Sequence, residues 1–195
     1  MLVGLYIPQR TDNADDMVAL DQMEIEYFGR ALRVLRKVNK DTDFVCFSEN
    51  KHLSICDGVP TRQINKRGAL FRPAIGNAPS LEQALTQDKV DVLLTSIDAP
   101  AVKTSIPKLL FALDMVLPGS PPQKNKIHPI IPRAVKRNCS EARLILCPSS
   151  YMQKACSTYA EVGLEKTVLA RAGINASFSD ARSSIIDGRY MLFPM

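Results

Sequence analysis

Apolar positions along this chain follow two alternating rhythms. Leu2 to Ile7 is a short apolar run closed by Pro8, which predicts a buried first strand. After a polar stretch from Gln9 to Asp16, the residues Leu20, Met23, Tyr27, Phe28, Ala31, Leu32, Leu35 and Val38 return at steps of three and four. Arg30, Arg33, Arg36 and Lys37 fall mostly between them, as in an amphipathic helix. Its acidic first turns and basic last turns suit the helix macrodipole, so that charge gradient needs no functional reading.

The alternation continues to the end of the chain. Asp43 to Phe47 predicts a second strand, and Arg62 to Ile64 a shorter one after the Gly58-Val59-Pro60 turn. Ser80 is placed to cap a short helix through Ala84 and Leu85. Val90 to Thr95 reads as a strand, and Leu109 to Val116 as another, broken by Pro118-Gly119-Ser120-Pro121-Pro122. His128 to Glu141 predicts a helix with Pro132 near its first turn. Arg143 to Cys147 is a strand, Pro148-Ser149-Ser150 caps a helix from Tyr151 to Glu161, and Gly163-Leu164 stops it. Thr167 to Ala172 is a further strand, Gly173-Ile174-Asn175 a turn, and Tyr190 to Phe193 a last apolar run. Strands and helices in alternation predict an α/β fold, a three-layer Rossmann-like domain with a mostly parallel sheet.

Composition bounds this picture. The chain has 195 residues, 46% of them apolar, enough to bury the core of a single domain. No apolar run approaches the roughly 20 residues that cross a bilayer, and no basic leader precedes Met1-Leu2-Val3, so a soluble cytoplasmic protein is the expectation. The five cysteines (46, 56, 139, 147, 156) are odd in number and lack Cys-x-x-Cys or Cys/His ligand spacing. That supports neither a disulfide framework nor a metal site, and they read as small buried hydrophobes.

Charge is distributed unevenly around its modest net value of +5. Between Ala101 and Ser140 stand Lys103, Lys108, Lys124, Lys126, Arg133, Lys136 and Arg137 against one acid, Asp114. Such a segment is either a solvated face or an attractor of phosphate groups, on small molecules or on an anionic membrane surface. Few aromatics lie among these bases, and nothing in the pattern indicates nucleic acid as a partner.

The usual phosphate cradles are absent. No Gly-x-Gly-x-x-Gly follows a strand, no Walker-type loop occurs, and the stretch after the first strand contains no glycine. His52 and His128 stand near no serine or cysteine elbow, which disfavours a nucleophile relay. Position then selects the candidates, because ligands of open parallel sheets bind beyond the carboxyl ends of the strands. Those positions hold Gln9, Arg10 and Asp12 after the first strand, Ser96 and Asp98 after the Val90 strand, Asp114 after the Leu109 strand, and Ser149 and Ser150 after the Leu144 strand. Asp114 reads either as a base or acceptor for a substrate hydroxyl or as a partner for Lys108 or Arg133 or a loop cap.

The order of the last hundred residues resembles a known family. Leu109 to Pro118, the basic stretch Arg133 to Ala142, and Arg143-Leu144-Ile145-Leu146-Cys147-Pro148-Ser149-Ser150 resemble the acceptor-side domain of GT-B glycosyltransferases, most of all the family-four retaining group. Lys166 to Asn175, ending Gly-Ile-Asn, is similar to that group's strand-and-turn pattern, and Tyr190 to Phe193 looks like the opening strand of its second domain. The chain departs from the pattern in its glycine-free first loop and at Leu113, which stands where the family has a histidine.

The resemblance implies residues 1–188 as a Rossmann-like acceptor-side domain and 189–195 as the start of a C-terminal donor domain. It implies transfer of a sugar from a nucleotide-sugar donor to an acceptor hydroxyl. Asp114 would be the catalytic candidate, and Gln9, Arg10, Asp12, Ser96, Asp98 and Ser149 would bind the acceptor. No cofactor is expected in this chain, since the nucleotide-sugar donor would need the missing domain, and the half-enzyme should be inactive alone. The expected partners are a sugar or lipid-linked acceptor, the donor-binding domain, and an anionic membrane surface at which the chain is peripheral. The alternatives are a non-catalytic Rossmann-like binding or interaction module and a nucleotide-dependent enzyme of another Rossmann type, the latter disfavoured by the missing phosphate loop.

Overall fold

The computed structural model of the chain describes residues 1–8, 14–50, 53, 58–65, 78–112 and 131–171. Seven strands form one sheet: β1 (Leu2–Tyr6), β2 (Asp43–Ser48), β3 (Thr61–Gln63), β4 (Val92–Ser96), β5 (Lys108–Phe111), β6 (Leu144–Cys147) and β7 (Thr167–Leu169). Their order across the sheet is β3-β2-β1-β4-β5-β6-β7, and every pairing is parallel. The helices are α1 (Ala14–Val38), α2 (Leu81–Gln87), α3 (Ile131–Glu141) and α4 (Ser150–Ala160). This is the Rossmann-like α/β architecture that the alternating pattern predicts.

Side-chain alternation along each strand sorts the core into layers. Val3 and Leu5 of β1, Phe44 and Cys46 of β2, Leu94 of β4 and Phe111 of β5 face α1, which buries Phe28 and Leu32 against them. Phe111 seats that helix: its ring lies edge-on to Phe28 at 4.9 Å and to Tyr27 at 5.2 Å. Such pairs add about 0.5–1.5 kcal/mol to what burial alone contributes. Tyr6, Val45, Phe47 and Leu93 point the other way and pack on Leu81, Ala84 and Leu85 of α2. On that same face Leu110, Ile145 and Cys147 meet Val135 and Cys139 of α3 and Met152, Ala155 and Cys156 of α4.

Gly4 shows why a strand interior tolerates glycine here. A Cβ at that position would stand 2.9 Å from the Phe47 ring and 3.0 Å from Val90, so the bare backbone is what lets α2 settle on β1.

Several boundaries shift from expectation for identifiable reasons. Ser80 caps α2 in a full capping box, accepting from Gln83 N–H while the Gln83 side chain accepts from the Ser80 N–H. The strand expected to open at Leu109 begins one residue earlier, because Lys108 enters the sheet with its ammonium buried. Helix α4 ends at Glu161, itself in the left-handed region at φ 57°, while the expected stop, Gly163, has an ordinary φ of −65°. Cys46, Cys139, Cys147 and Cys156 are buried free thiols, as the odd count suggested. The Gly173-Ile174-Asn175 turn and Tyr190 to Phe193 lie outside the described residues.

Candidate functional site

The sheet reverses its direction of growth between β1 and β4. The chain leaves β1 towards β2 and leaves β4 towards β5, so the connections beyond their carboxyl ends part. In open parallel sheets ligands take that crevice.

Strand β4 delivers the polar groups there. Thr95 Oγ1 donates to the Tyr6 carbonyl at 2.9 Å, a buried tie that locks the tip of β4 to β1. Ser96 is buried and its hydroxyl donates to the carboxylate of Asp98, whose side chain is exposed. The backbone between them is fixed from behind. Ile97 N–H donates to the Phe111 carbonyl at 2.9 Å, and Ala99 N–H donates to the Ser96 carbonyl at 3.2 Å. Asn138, buried on α3, donates its amide to the carbonyls of Ile97 at 3.0 Å and Ala99 at 2.7 Å. Asp98 is therefore a solvent-facing carboxylate on a loop anchored to a helix.

Two neighbouring strands complete the rim. Beyond β2, Glu49 Oε1 accepts from the hydroxyl of the fully buried Tyr6 at 2.8 Å, and Asn50 N–H donates to Ser48 Oγ at 3.0 Å. Beyond β6, Ser149 is exposed and caps α4, its Oγ accepting from Met152 N–H at 3.1 Å. With its oxygen so engaged, Ser149 offers a ligand chiefly its own O–H, beside the orphan N–H groups of a helix N-terminus.

Of the residues singled out in the sequence, Ser96 and Asp98 stand together at the switch point, and Ser149 lies two strands away across β5. Gln9, Arg10, Asp12 and Asp114 lie outside the described residues. Tyr6 and Glu49 went unremarked in the sequence. Glu49 satisfies the same rule that selected the others, being the residue just after a strand, and Tyr6 is concealed inside an apolar run.

The basic stretch is partly consumed inside the fold. Lys108 donates to the Val102 carbonyl at 3.1 Å and pairs with Glu141. Arg137 donates to the other oxygen of Glu141 at 2.9 Å, and Lys136 pairs with Glu161. Hydrogen bonds from Lys108 and then Arg137 hold the Glu141 carboxyl below its ordinary range, and Lys136 does the same to the exposed Glu161. Glu141 follows directly on the window that gave the stretch its charge, and Glu161 lies further along the chain.

The described thiols are shifted in opposite directions, Cys147 being lowered by its hydrogen bond with Cys156. Burial pushes Cys139 up to about 12, and Cys156 is raised by its hydrogen bond to Cys147 and by burial. Among the described residues no group of His, Cys, Asp and Glu is placed to hold a metal ion, and no helix is long and apolar enough to cross a membrane. What the rim can do is accept hydrogen bonds from a ligand's hydroxyl groups at Asp98 and donate from Ser149 and the α4 N-terminus.

No family model matches the chain, and neither does any curated protein sequence. Solved structures do resemble it. HepE of Anabaena, determined in complex with UDP, superposes with a TM-score of 0.50 at 13% identity, over 90% of this chain and 45% of its own. A glycosyltransferase of Rickettsia africae gives 0.48 at 10% identity, over 92% and 45% respectively. The wall teichoic acid polymerase TagF gives 0.48 at 11%, over 87% and 38%. At such identities the likeness is one of fold, and the chain spans less than half the length of each.

Proposed function

We propose that this chain is the acceptor-binding half of a glycosyltransferase, a lobe that orients an acceptor hydroxyl while a second, donor-binding lobe holds the nucleotide-sugar. The observation that carries the reading is the exposed Asp98 carboxylate at the β1/β4 switch point, steadied by Ser96 and by a loop that Asn138 anchors. The fold shared with HepE, over 45% of that longer chain, supports a one-lobe reading.

In the transfer, the acceptor oxygen bonds to the anomeric carbon, the nucleoside diphosphate departs with the electrons of the broken bond, and the hydroxyl proton passes to a base. Asp98 accepts a hydrogen bond from the acceptor, and Asp114, a carboxylate at the end of the Leu109 run, is the candidate base. Ser149 extends the acceptor site along the same edge, and Gln9, Arg10 and Asp12, which follow β1 in the sequence, are the further residues assigned to it. Fixing the acceptor lowers the entropic part of the barrier. A sugar or a lipid-linked sugar is the acceptor class. Among the described residues, Lys103 and Arg133, both exposed, are the bases of that stretch left to face anionic lipid headgroups once Lys108, Lys136 and Arg137 are paired.

The second reading, a Rossmann-like binding module without transferase activity, draws on the glycine-free segment after β1. Titrating the isotope-labelled chain with a panel of mono- and disaccharides and with UDP separates the two. The transferase reading expects saccharide-induced shifts at the amides of Ser96 to Ala99 and no tight binding of the nucleotide. Tight UDP binding by this chain alone would contradict the placing of the donor in another lobe.

A further inference from the structure

At the amino end of the sheet the last turn of α1, strands β2 and β3, and the end of α2 surround an open cavity of about 730 Å³. Arg36, Phe44, Gly58, Pro60, Arg62 and Asp88 are among its lining residues. Its floor is an interrupted ladder. Ile64 N–H donates to the Ser48 carbonyl, and Cys46 N–H donates to the Pro60 carbonyl. Stepping back along both strands by twos, the donor due to the Phe44 carbonyl would be the N–H of residue 60, and proline has none. The Phe44 carbonyl therefore faces the cavity side of β2 without its ladder donor.

One wall is a carboxylate satisfied on one side. Asp88 has a side chain only 9% exposed. One oxygen accepts from Arg62 at 2.6 Å, and the other, Oδ2, is buried with no hydrogen-bond donor among the described residues. The Arg62 side chain is 56% exposed, so this ion pair is the solvent-facing edge of the buried carboxylate, and a ligand reaches Oδ2 only by moving it aside. Across the cavity, Gly58 at φ +77° brings its backbone against Arg36, since a Cβ there would stand 3.0 Å from both terminal guanidinium nitrogens.

The chemistry selects the ligand. Among the described residues Asp88 Oδ2 has no donor and the Phe44 carbonyl lacks its ladder donor, and Arg62 supplies donors beside them. Arg36 and Arg62 balance Asp43 and Asp88 around the cavity, so no net field draws an anion. Among the described lining residues Phe44 alone is aromatic, and it packs its ring in the core beneath α1, away from a planar base in the cavity.

A hydroxyl both donates and accepts, and adjacent hydroxyls match this wall. We propose that the cavity binds an uncharged polyol, a saccharide whose neighbouring hydroxyls enter between Arg62 and Asp88. One donates to Asp88 Oδ2; the next accepts from Arg62 and donates to the Phe44 carbonyl. The site lies at the opposite end of the strands from the Asp98 rim, roughly 15 Å away for strands of about five residues, and stands whether or not that rim serves an acceptor.

Titration of the labelled full chain with glucose, followed by amide resonances, tests this. The expected result is a shift at Phe44, Val45, Thr61 and Asp88 in the tens-of-millimolar range, with inorganic phosphate producing none. Asp88→Ala should weaken the interaction roughly tenfold, the size of one charge-assisted hydrogen bond. If that variant does not fold, Arg62→Met, at an exposed side chain, carries the same expectation. Absence of shifts at these amides, unchanged affinity in a folded variant, or phosphate binding more tightly than glucose would overturn the proposal. Shifts confined to Ser96 to Ala99 would also overturn it, while leaving the acceptor reading intact.

Discussion

The two ends of the sheet use polar side chains differently. At the amino end they fasten distant segments together. Asp91 accepts the N–H of Leu2 at 2.7 Å, Lys108 reaches Glu141 on α3, and Lys166 donates to the Ser140 carbonyl at 3.0 Å, with partners 26 to 89 positions apart. At the carboxyl end they shape their own loops: Ser96 with Asp98, Asn50 with Ser48, Ser149 with Met152, each within three positions. The first kind of contact holds the fold, and its groups are spent on one another, the Asp88 cavity apart. The second leaves a carboxylate, Asp98, facing solvent on a rigid base, which is why the candidate site is assigned to that end.

Long-range ties also serve the carboxyl end, from Thr95 to the Tyr6 carbonyl, from Tyr6 to Glu49 and from Asn138 to Ile97 and Ala99, and Asn138 should show the largest effect. Asn138→Ala strands two buried carbonyls, and a loss of about 2–3 kcal/mol is expected in denaturant unfolding, together with faster hydrogen exchange at Ala99. Glu141→Gln probes the amino end. It leaves the buried Lys108 ammonium facing only neutral acceptors, the Val102 carbonyl and the new amide oxygen, and about 2 kcal/mol should be lost, below the 3–5 kcal/mol of a fully buried pair because Glu141 is partly solvated.

The same carboxylate sets a pH dependence. Its depressed pKa means that its contribution is complete above the ordinary glutamate range and fades as pH falls through the lowered value. Thermal unfolding followed from neutral to acid pH should therefore show a shallower acid decline in Glu141→Gln than in the unaltered chain. Ser149→Ala removes only a helix cap, worth about 1 kcal/mol. Smallest is Asp98→Asn, expected within about 0.5 kcal/mol of the unaltered protein; a large destabilisation there would erase the contrast between the two ends.

What the sequence revealed follows the same division. Parallel strands buried on both faces announce themselves as apolar runs, so β1, β2, β4 and β6 were legible, as was the amphipathic stripe of α1. Short-range devices were legible too: Ser80 and Ser149 cap helices where a serine precedes an apolar periodicity. Long-range pairings were not, because a charge window cannot see its partners. Three of the seven bases between Ala101 and Ser140 look uncompensated because their partners, Glu141 and Glu161, follow the window. Buried Lys108 was hidden for the same reason, and Tyr6 because its ring reads as apolar while its hydroxyl finds Glu49 43 positions away. The left-handed Glu161 defeated the preference for glycine at a helix stop, with Gly163 two residues further on as a decoy.

The most direct test of the central claim is a saccharide titration of three proteins, the unaltered chain, Asp98→Asn and Glu141→Gln, read at the amides of Ser96 to Ala99 and paired with thermal unfolding of each. The expected result is that Asp98→Asn abolishes the shifts while keeping its melting temperature, and that Glu141→Gln melts lower while binding unchanged. Undiminished shifts in Asp98→Asn, or lost binding in a folded Glu141→Gln, would contradict the assignment of the carboxyl rim as the acceptor site.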